Sequence, residues 1–265
     1  MIPYSFTYKR AKSVDEAVAL LAASPDGKLL AGGQTLIAAM KMRLANPSDL
    51  IDISTIRELN YIRASAGAVA IGAATTHFEV STSKDVAKAI PALAHVASVI
   101  GDPAVRHKGT LGGSVANNDP AADYPAAVLG LGATIRTNRR AIAADDFFQG
   151  MFTTALEEGE IVTEISFPVP GKAAYKKFAN PASRYAMAGV FVAKFADHVR
   201  VAVTGAGPCV FRVPEMEAAL AKNFSPDAIA NIAVDATDLN SDIHGSAEYR
   251  ANLVTVMAKR AVAAA

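Results

Sequence analysis

The spacing of apolar and polar positions divides the chain into three stretches. In the first, Ser13-Val14-Asp15-Glu16 places a capping serine three residues before a glutamate. Val14, Val18, Leu20 and Leu21 then recur on one face, which predicts a helix that runs out at Ser24-Pro25-Asp26-Gly27. A strand over 29–31, a helix over 36–44 and a strand over 50–53 follow. The turns between them are Gly32-Gly33 and Asn46-Pro47-Ser48. The pattern predicts a β-α-β-α-β lobe that closes near Ser54.

The second stretch predicts strands over 61–63 and 69–72, then helical patterns over 77–80 and 91–100. From Ile100 to Pro125 the periodicity lapses. A helix over 125–131, a strand over 133–137 and a helical turn over 144–149 come next. Residues 160–167 alternate polar and apolar as a half-buried strand does, and Pro168-Val169-Pro170-Gly171 then breaks the chain. The third stretch predicts strands over 174–178, 189–195 and 199–204, followed by helices over 214–220, 226–234 and 247–263. Strands followed by helices imply an α+β lobe with an antiparallel sheet. The boundaries are therefore 1–55, 56–171 and 172–265.

The aperiodic segment 100–125 holds four glycines, two adjacent asparagines, three aspartates and three prolines between two apolar segments. Glycine admits close approach and positive φ, so successive amides can converge on an anion. Thr110 adds a hydroxyl, and Asp123 is an acid able to accept from ribose hydroxyls. An ordinary surface loop carries the same residues, and this segment alone does not choose between the two. A second glycine turn shifts the balance. Leu29 to Lys41 reads as a short strand, Gly32-Gly33, then a helix starting near Thr35, whose free N–H groups aim back at the turn. Two such loops in one domain suit the two phosphates of a dinucleotide.

Composition narrows the function further. At 265 residues, 51% hydrophobic and 19% charged, the chain is globular and long enough for several lobes with their own cores. A net charge of +1 without a Lys/Arg block argues against nucleic acid or an anionic membrane as the main partner. Lys9 and Arg10 precede any apolar run that could serve as a signal peptide, and no segment approaches the roughly 18 apolar residues of a membrane span. The expected location is cytoplasmic. The one cysteine, Cys209, cannot supply the four thiolates of an iron–sulfur cluster and reads as an apolar filler. Gly130-Leu131-Gly132 and Gly205-Ala206-Gly207 lack the third glycine of a Rossmann site. His77, His95, His107, His198 and His244 are scattered without metal-ligand spacing. No catalytic base or metal site is assigned.

Ala31-Gly32-Gly33-Gln34-Thr35 and Thr110-Leu111-Gly112-Gly113-Ser114 together resemble the two flavin loops of the molybdenum hydroxylases' FAD-binding medium subunit. That group contains carbon monoxide dehydrogenase and xanthine dehydrogenase. The similarity runs from Pro3-Tyr4-Ser5-Phe6 to Ala247-Glu248-Tyr249-Arg250. It implies a two-lobed FAD domain of the vanillyl-alcohol-oxidase/PCMH type plus a C-terminal α+β domain. The cofactor it implies is FAD. An iron–sulfur small subunit and a molybdenum large subunit would be the partners, within a dimer of heterotrimers serving an external electron acceptor.

By the same resemblance, Ala31, Gly32, Gly33, Gln34 and Thr35 would cradle the pyrophosphate with Thr110, Leu111, Gly112, Gly113 and Ser114. Ile37 would lie near the flavin, Ile100 and Gly101 near the adenosine end, and Asp123 on the adenosine side. Val162 and Lys177 match flavin contacts, although a strand valine and a surface lysine need no such role. Tyr185 matches the tyrosine of a loop covering the isoalloxazine. Before it stand Asn180-Pro181 and Ser183-Arg184, where relatives often carry a basic pair and an acid, and Ser114 stands in place of an asparagine. The loop on the open flavin face is therefore expected to differ in shape and charge. Two other functions stay open at this point: a self-sufficient flavin oxidoreductase of the same fold, and a non-catalytic nucleotide-binding scaffold.

Overall fold

The structure, a computed structural model, describes residues 2–265. Strands Thr7–Arg10, Asp49–Asp52 and Lys28–Leu30 lie side by side in that order, all parallel. Parallel neighbours need crossovers, which the helices Val14–Ala22 and Leu36–Lys41 supply. Ala17, Ile51, Ile53 and Ile56 pack the core beneath. At the first helix only half of the predicted capping box forms. The Ser13 hydroxyl accepts from the Glu16 amide, but the Glu16 carboxylate accepts from Lys12 rather than from Ser13. A complete box occurs instead at Thr76 and Glu79. The second helix stops at Lys41, short of the predicted 44, because Arg43 turns to φ 61°.

The middle sheet is antiparallel and runs Ile62–Ala64, Ala68–Gly72, Val162–Pro168, Thr134–Thr137, Ala141–Ala143. Its last strand in sequence takes the central place, which explains the clean alternation read over 160–167. Helices Lys84–Ala89, Pro91–Ser98, Leu111–Asn117 and Tyr124–Gly130 belong to the same lobe, and all but the first put several residues in its core. The segment read as aperiodic is therefore not a loop throughout: Pro103–Arg106 and Leu111–Asn117 are helical. Two glycines in the second of these helices conceal it from propensity. It forms because Thr110 caps the Gly113 amide and because Gly112 packs on Ala73, where a Cβ would lie 2.4 Å from Ala73 Cβ. The turn read over 144–149 is a helix only over Ala144–Phe147 and continues as strand Phe148–Gly150.

The third sheet is an antiparallel meander of Lys172–Ala179, Ala186–Lys194, Val199–Thr204 and Phe211–Arg212. Ala186–Lys194 is buried along nearly its whole length because both faces are covered. Val190 and Val192 face a core shared with the helix Ala247–Ala264. Phe191 and Ala193 join the core of the middle lobe, and there Gly130 passes so close that a Cβ would meet Phe191 Cδ1 at 2.8 Å. The middle and last lobes are thus welded through one hydrophobic core. Arg200 adds an ion pair to Asp145, its Nη2 lying 2.7 Å from both carboxylate oxygens. The helix read over 226–234 reduces to a 3-10 turn, Pro226–Ile229. Among the described residues, no helix is long and apolar enough to cross a membrane.

Candidate flavin site

The two glycine loops meet. Gly32 packs against the backbone of Lys108 and Gly109 so tightly that a Cβ would fall 2.0 Å from the Lys108 carbonyl oxygen. Gly33 holds φ 71°, a left-handed turn that swings the chain from the strand Lys28–Leu30 into the helix Leu36–Lys41. A side chain there would also press on Ile37 Cγ1 at 2.9 Å. The amides of Gly32, Gly33, Gln34 and Thr35 donate no hydrogen bond within the chain. Gln34 and Thr35 are exposed, and Thr35 does not cap its helix. Four undonated amides on one turn are donors available to an anion.

The second loop is built differently. Leu111 and Gly112 donate to the carbonyls of Thr75 and Ala73, and Gly113 donates to the Thr110 hydroxyl. Its amides are committed to holding the loop, so its glycines serve close packing first. Gly113 and Ser114 remain accessible beside Ala31, which a Cβ on Gly113 would approach to 3.8 Å. His77 supports this loop from behind. Its amide donates to the Gly109 carbonyl at 2.9 Å, and its imidazole lies against Gly109, where a Cβ would meet Nε2 at 2.6 Å. Burial, and secondarily the Arg106 charge, holds the His77 imidazole down to about 4. His77 Nδ1 and the Tyr124 hydroxyl are both buried without a partner, their rings 5.2 Å apart. Spacing gave no sign of this pair.

Lys177, which sequence reading allowed to be a surface lysine, is half-buried overall, with its side chain only 9% exposed. Its ammonium donates to the carbonyls of Val99 (2.9 Å) and Arg184 (2.9 Å) and to Asp123 (3.0 Å). One cation thereby holds three segments: the residues before Ile100-Gly101, the end of the glycine segment, and the loop bearing Tyr185. Asp123 is buried, and Tyr175 donates to it at 2.6 Å. Gly189 makes the room, since a Cβ there would sit 2.3 Å from the Tyr175 hydroxyl. Burial pushes the Asp123 carboxyl up, against the opposing pull of Lys177 and Tyr175. On the exposed side, Asn180 stitches the Tyr185 loop: its side chain accepts from Ala182 and Ser183, and its amide donates to the Tyr185 carbonyl. Tyr185 keeps an exposed ring, its hydroxyl raised by partial burial and by Asp119 and Asp123.

The remaining residues fall around these three groups. Ile37 is half-buried below Gly33. Ile100 and Gly101 (φ 51°) present their carbonyls to Arg106. Val162 is buried at the start of the central strand, beside a register break. Cys209 is half-buried and packs against the core of the middle lobe as an apolar filler does, with its sulfur 3.7 Å from the Asn118 side-chain nitrogen. Asn118, at φ 44°, also donates to Gly150 and Thr153.

Residues 4–170 match the family of FAD binding domains in molybdopterin dehydrogenases, and residues 173–265 match the carbon monoxide dehydrogenase flavoprotein C-terminal domain. The carbon monoxide dehydrogenase medium chain of Hydrogenophaga pseudoflava is 38% identical over 100% of this chain and 98% of its own length. The glyceraldehyde dehydrogenase medium chain of Sulfolobus acidocaldarius is 36% identical, covering 98% of each. A chain of quinoline 2-oxidoreductase from Pseudomonas putida 86 superposes with a TM-score of 0.93 at 31% identity, over 100% of this chain and 98% of that one. The fold and the paired glycine loops define an FAD-dependent oxidoreductase component. The chain belongs to the FAD-binding medium subunits of the molybdenum hydroxylases.

Proposed function

We propose that this chain holds FAD and relays electrons within a complex containing an iron–sulfur small subunit and a molybdenum large subunit, assembled as a dimer of heterotrimers in the cytoplasm. Its working lobes are 1–55, 56–171 and 172–265. The observation that carries the reading is the contact of Gly32 with Lys108, which sets four undonated amides against the second glycine loop. Gly32, Gly33, Gln34 and Thr35 would receive the pyrophosphate, with Ala31, Thr110, Leu111, Gly112, Gly113 and Ser114 forming the opposite wall. Ile100 and Gly101 would meet the adenosine side and Ile37, Val162 and Tyr185 the flavin side, while Asp123 and Lys177, paired with each other at 3.0 Å, would brace the wall of the site at one place rather than reach its opposite ends. Bound FAD supplies the ability to take electrons singly and release them in pairs. This chain's residues supply position and electrostatics: Lys177 gathers three backbone segments, and Asn180 shapes the loop that decides what approaches.

The purified chain is tested by its absorption spectrum and by chromatography of whatever denaturation releases. Flavin bands and released FAD, lost in Gly113→Val, support the reading. A colourless chain that binds no added FAD overturns it, as does full FAD retention by Gly113→Val.

A further inference from the structure

Two buried polar atoms of the middle lobe lack partners, and they sit on neighbouring rings. Each ring opens a helix: His77 begins His77–Thr82, and Tyr124 begins Tyr124–Gly130. His77 is 4% exposed and Tyr124 not at all. Neither His77 Nδ1 nor the Tyr124 hydroxyl makes a hydrogen bond within the chain, although the rings lie 5.2 Å apart at a 55° tilt. An enclosed polar atom left unpaired is costly, and folded proteins commonly satisfy such atoms with an internal water. Burial, with help from Asp123, pushes the Tyr124 hydroxyl well up, so it keeps its proton and needs an acceptor. Nδ1 is the unclaimed acceptor on the adjacent ring. A neutral imidazole that accepts at Nδ1 carries its hydrogen on Nε2. Nε2 faces Gly109, and the Val105 carbonyl borders the same point: a Cβ on Gly109 would lie 2.6 Å from Nε2 and 3.2 Å from that oxygen. An acceptor therefore stands on the side where this tautomer puts its hydrogen.

We propose that His77 and Tyr124 form one positioning unit for FAD, joined through a single internal water that accepts from the Tyr124 hydroxyl and donates to His77 Nδ1. The inference rests on the FAD-binding reading above. The unit connects two parts of the site that are distant along the chain. On one side, the His77 amide donates to the Gly109 carbonyl, and Gly109 with Lys108 forms the surface on which Gly32 packs. Thr76, just before His77, bridges to Thr110, and Phe78, just after it, stacks on His107 at 4.0 Å. The start of the helix His77–Thr82 is thus the backing of the second glycine loop. On the other side, Tyr124 follows Asp123, which Tyr175 and Lys177 hold. The water fixes the distance between the glycine loop and the Asp123 wall. Removing either end leaves the other polar atom unpaired in the interior and frees Gly109 to drift from Gly32.

The first test needs no substitution. Magnetic resonance of the full chain, isotope-labelled at the histidine nitrogens, should show His77 as the Nε2–H tautomer with Nδ1 accepting a hydrogen bond. Tyr124→Phe removes only the hydroxyl and should shift the Nδ1 signal. The second test is FAD titration of flavin-stripped protein. Tyr124→Phe and His77→Gln, which loses the atom at Nδ1, should each bind FAD ~10-fold more weakly. The double variant should bind no more weakly than the weaker single one, because residues acting through one water are lost together. An Nδ1–H tautomer in the wild-type chain overturns the proposal, and this reading decides the matter even where a variant fails to fold. FAD affinity of Tyr124→Phe within about two-fold of wild type overturns it too, as does a double variant ~100-fold weaker than wild type, the additive result. If the wild-type chain binds no FAD, the FAD-binding reading fails and the positioning role fails with it. Normal FAD binding with the other tautomer removes the positioning unit alone.

Discussion

Gly32→Ala is the smallest change that should separate the two glycine loops. The added methyl group would lie 2.0 Å from the Lys108 carbonyl oxygen and 2.7 Å from Gly109 Cα. Real Cβ atoms keep at least 3.0 Å from such neighbours, so one backbone must retreat by about 1 Å. Neither moves freely. Lys108 and Gly109 donate to Val105, Gly109 accepts from His77, and Ile53 and Ile37 pin the two ends of the first loop. Overpacking of this kind costs about 1–3 kcal/mol, and backbone pinned on both sides puts Gly32 at the upper end. The free protein relieves the strain by parting the loops, and FAD binding must impose it again. About 3 kcal/mol then appears as a roughly 100-fold weaker dissociation constant for FAD. The assay is titration of flavin-stripped protein with FAD, followed by flavin fluorescence quenching. Gly67→Ala is the control, because a Cβ at Gly67 meets nothing within 4 Å, and its affinity should not change. A Gly32→Ala variant that binds FAD within about two-fold of wild type would refute the argument that loop contact builds the site.

The His77 imidazole is held down to about 4, so the unfolded chain takes up more protons than the folded one between pH 6.5 and 4. Stability should fall as pH drops through that window, by about 2 kcal/mol between pH 7 and pH 5. Denaturant unfolding of His77→Gln should lack that loss, and equal pH slopes for the two proteins would count against it. The Arg140 guanidinium holds the Glu160 carboxyl down to about 2. Its contribution, at most about 3 kcal/mol, is present above about pH 4.5 and lost as pH falls toward 2. Glu160→Gln should therefore lower stability at neutral pH and flatten the acid limb of unfolding, and an unchanged limb would contradict the assignment. Lys177→Met leaves Asp123 buried with Tyr175 alone and takes a donor from the Arg184 carbonyl. It should cost about 3 kcal/mol and speed amide exchange in the Asn180–Tyr185 loop, and wild-type exchange there would show that Lys177 does not tether it.

Local patterning carried much of the architecture. The strand read over 199–204 coincides with Val199–Thr204, because β-branched residues there leave little alternative. The break at Pro168-Val169-Pro170-Gly171 falls between strands of two different sheets. The Gly-Gly turn into a helix was legible because only glycine accepts Gly33's dihedral angles without strain. Where local and tertiary preferences conflict, pattern failed. The helix Leu111–Asn117 contains glycines that argue against it, and only the contact with Ala73 explains why Gly112 has no side chain. The 226–234 segment had helical spacing but formed only a turn.

The amino-acid sequence by itself determined the break near Pro168, the two glycine loops and the family likeness, since each is a property of neighbours along the chain. Tertiary structure decided what those residues do. It left the amides of Gly32, Gly33, Gln34 and Thr35 undonated and committed those of the second loop internally. It turned the Lys177 side chain inward as a tether rather than leaving it in solvent, and it set His77 behind Gly109. The physical reason is that hydrogen-bond supply and burial are shared among segments distant in sequence. A donor's availability is known only once every acceptor that can reach it is in place.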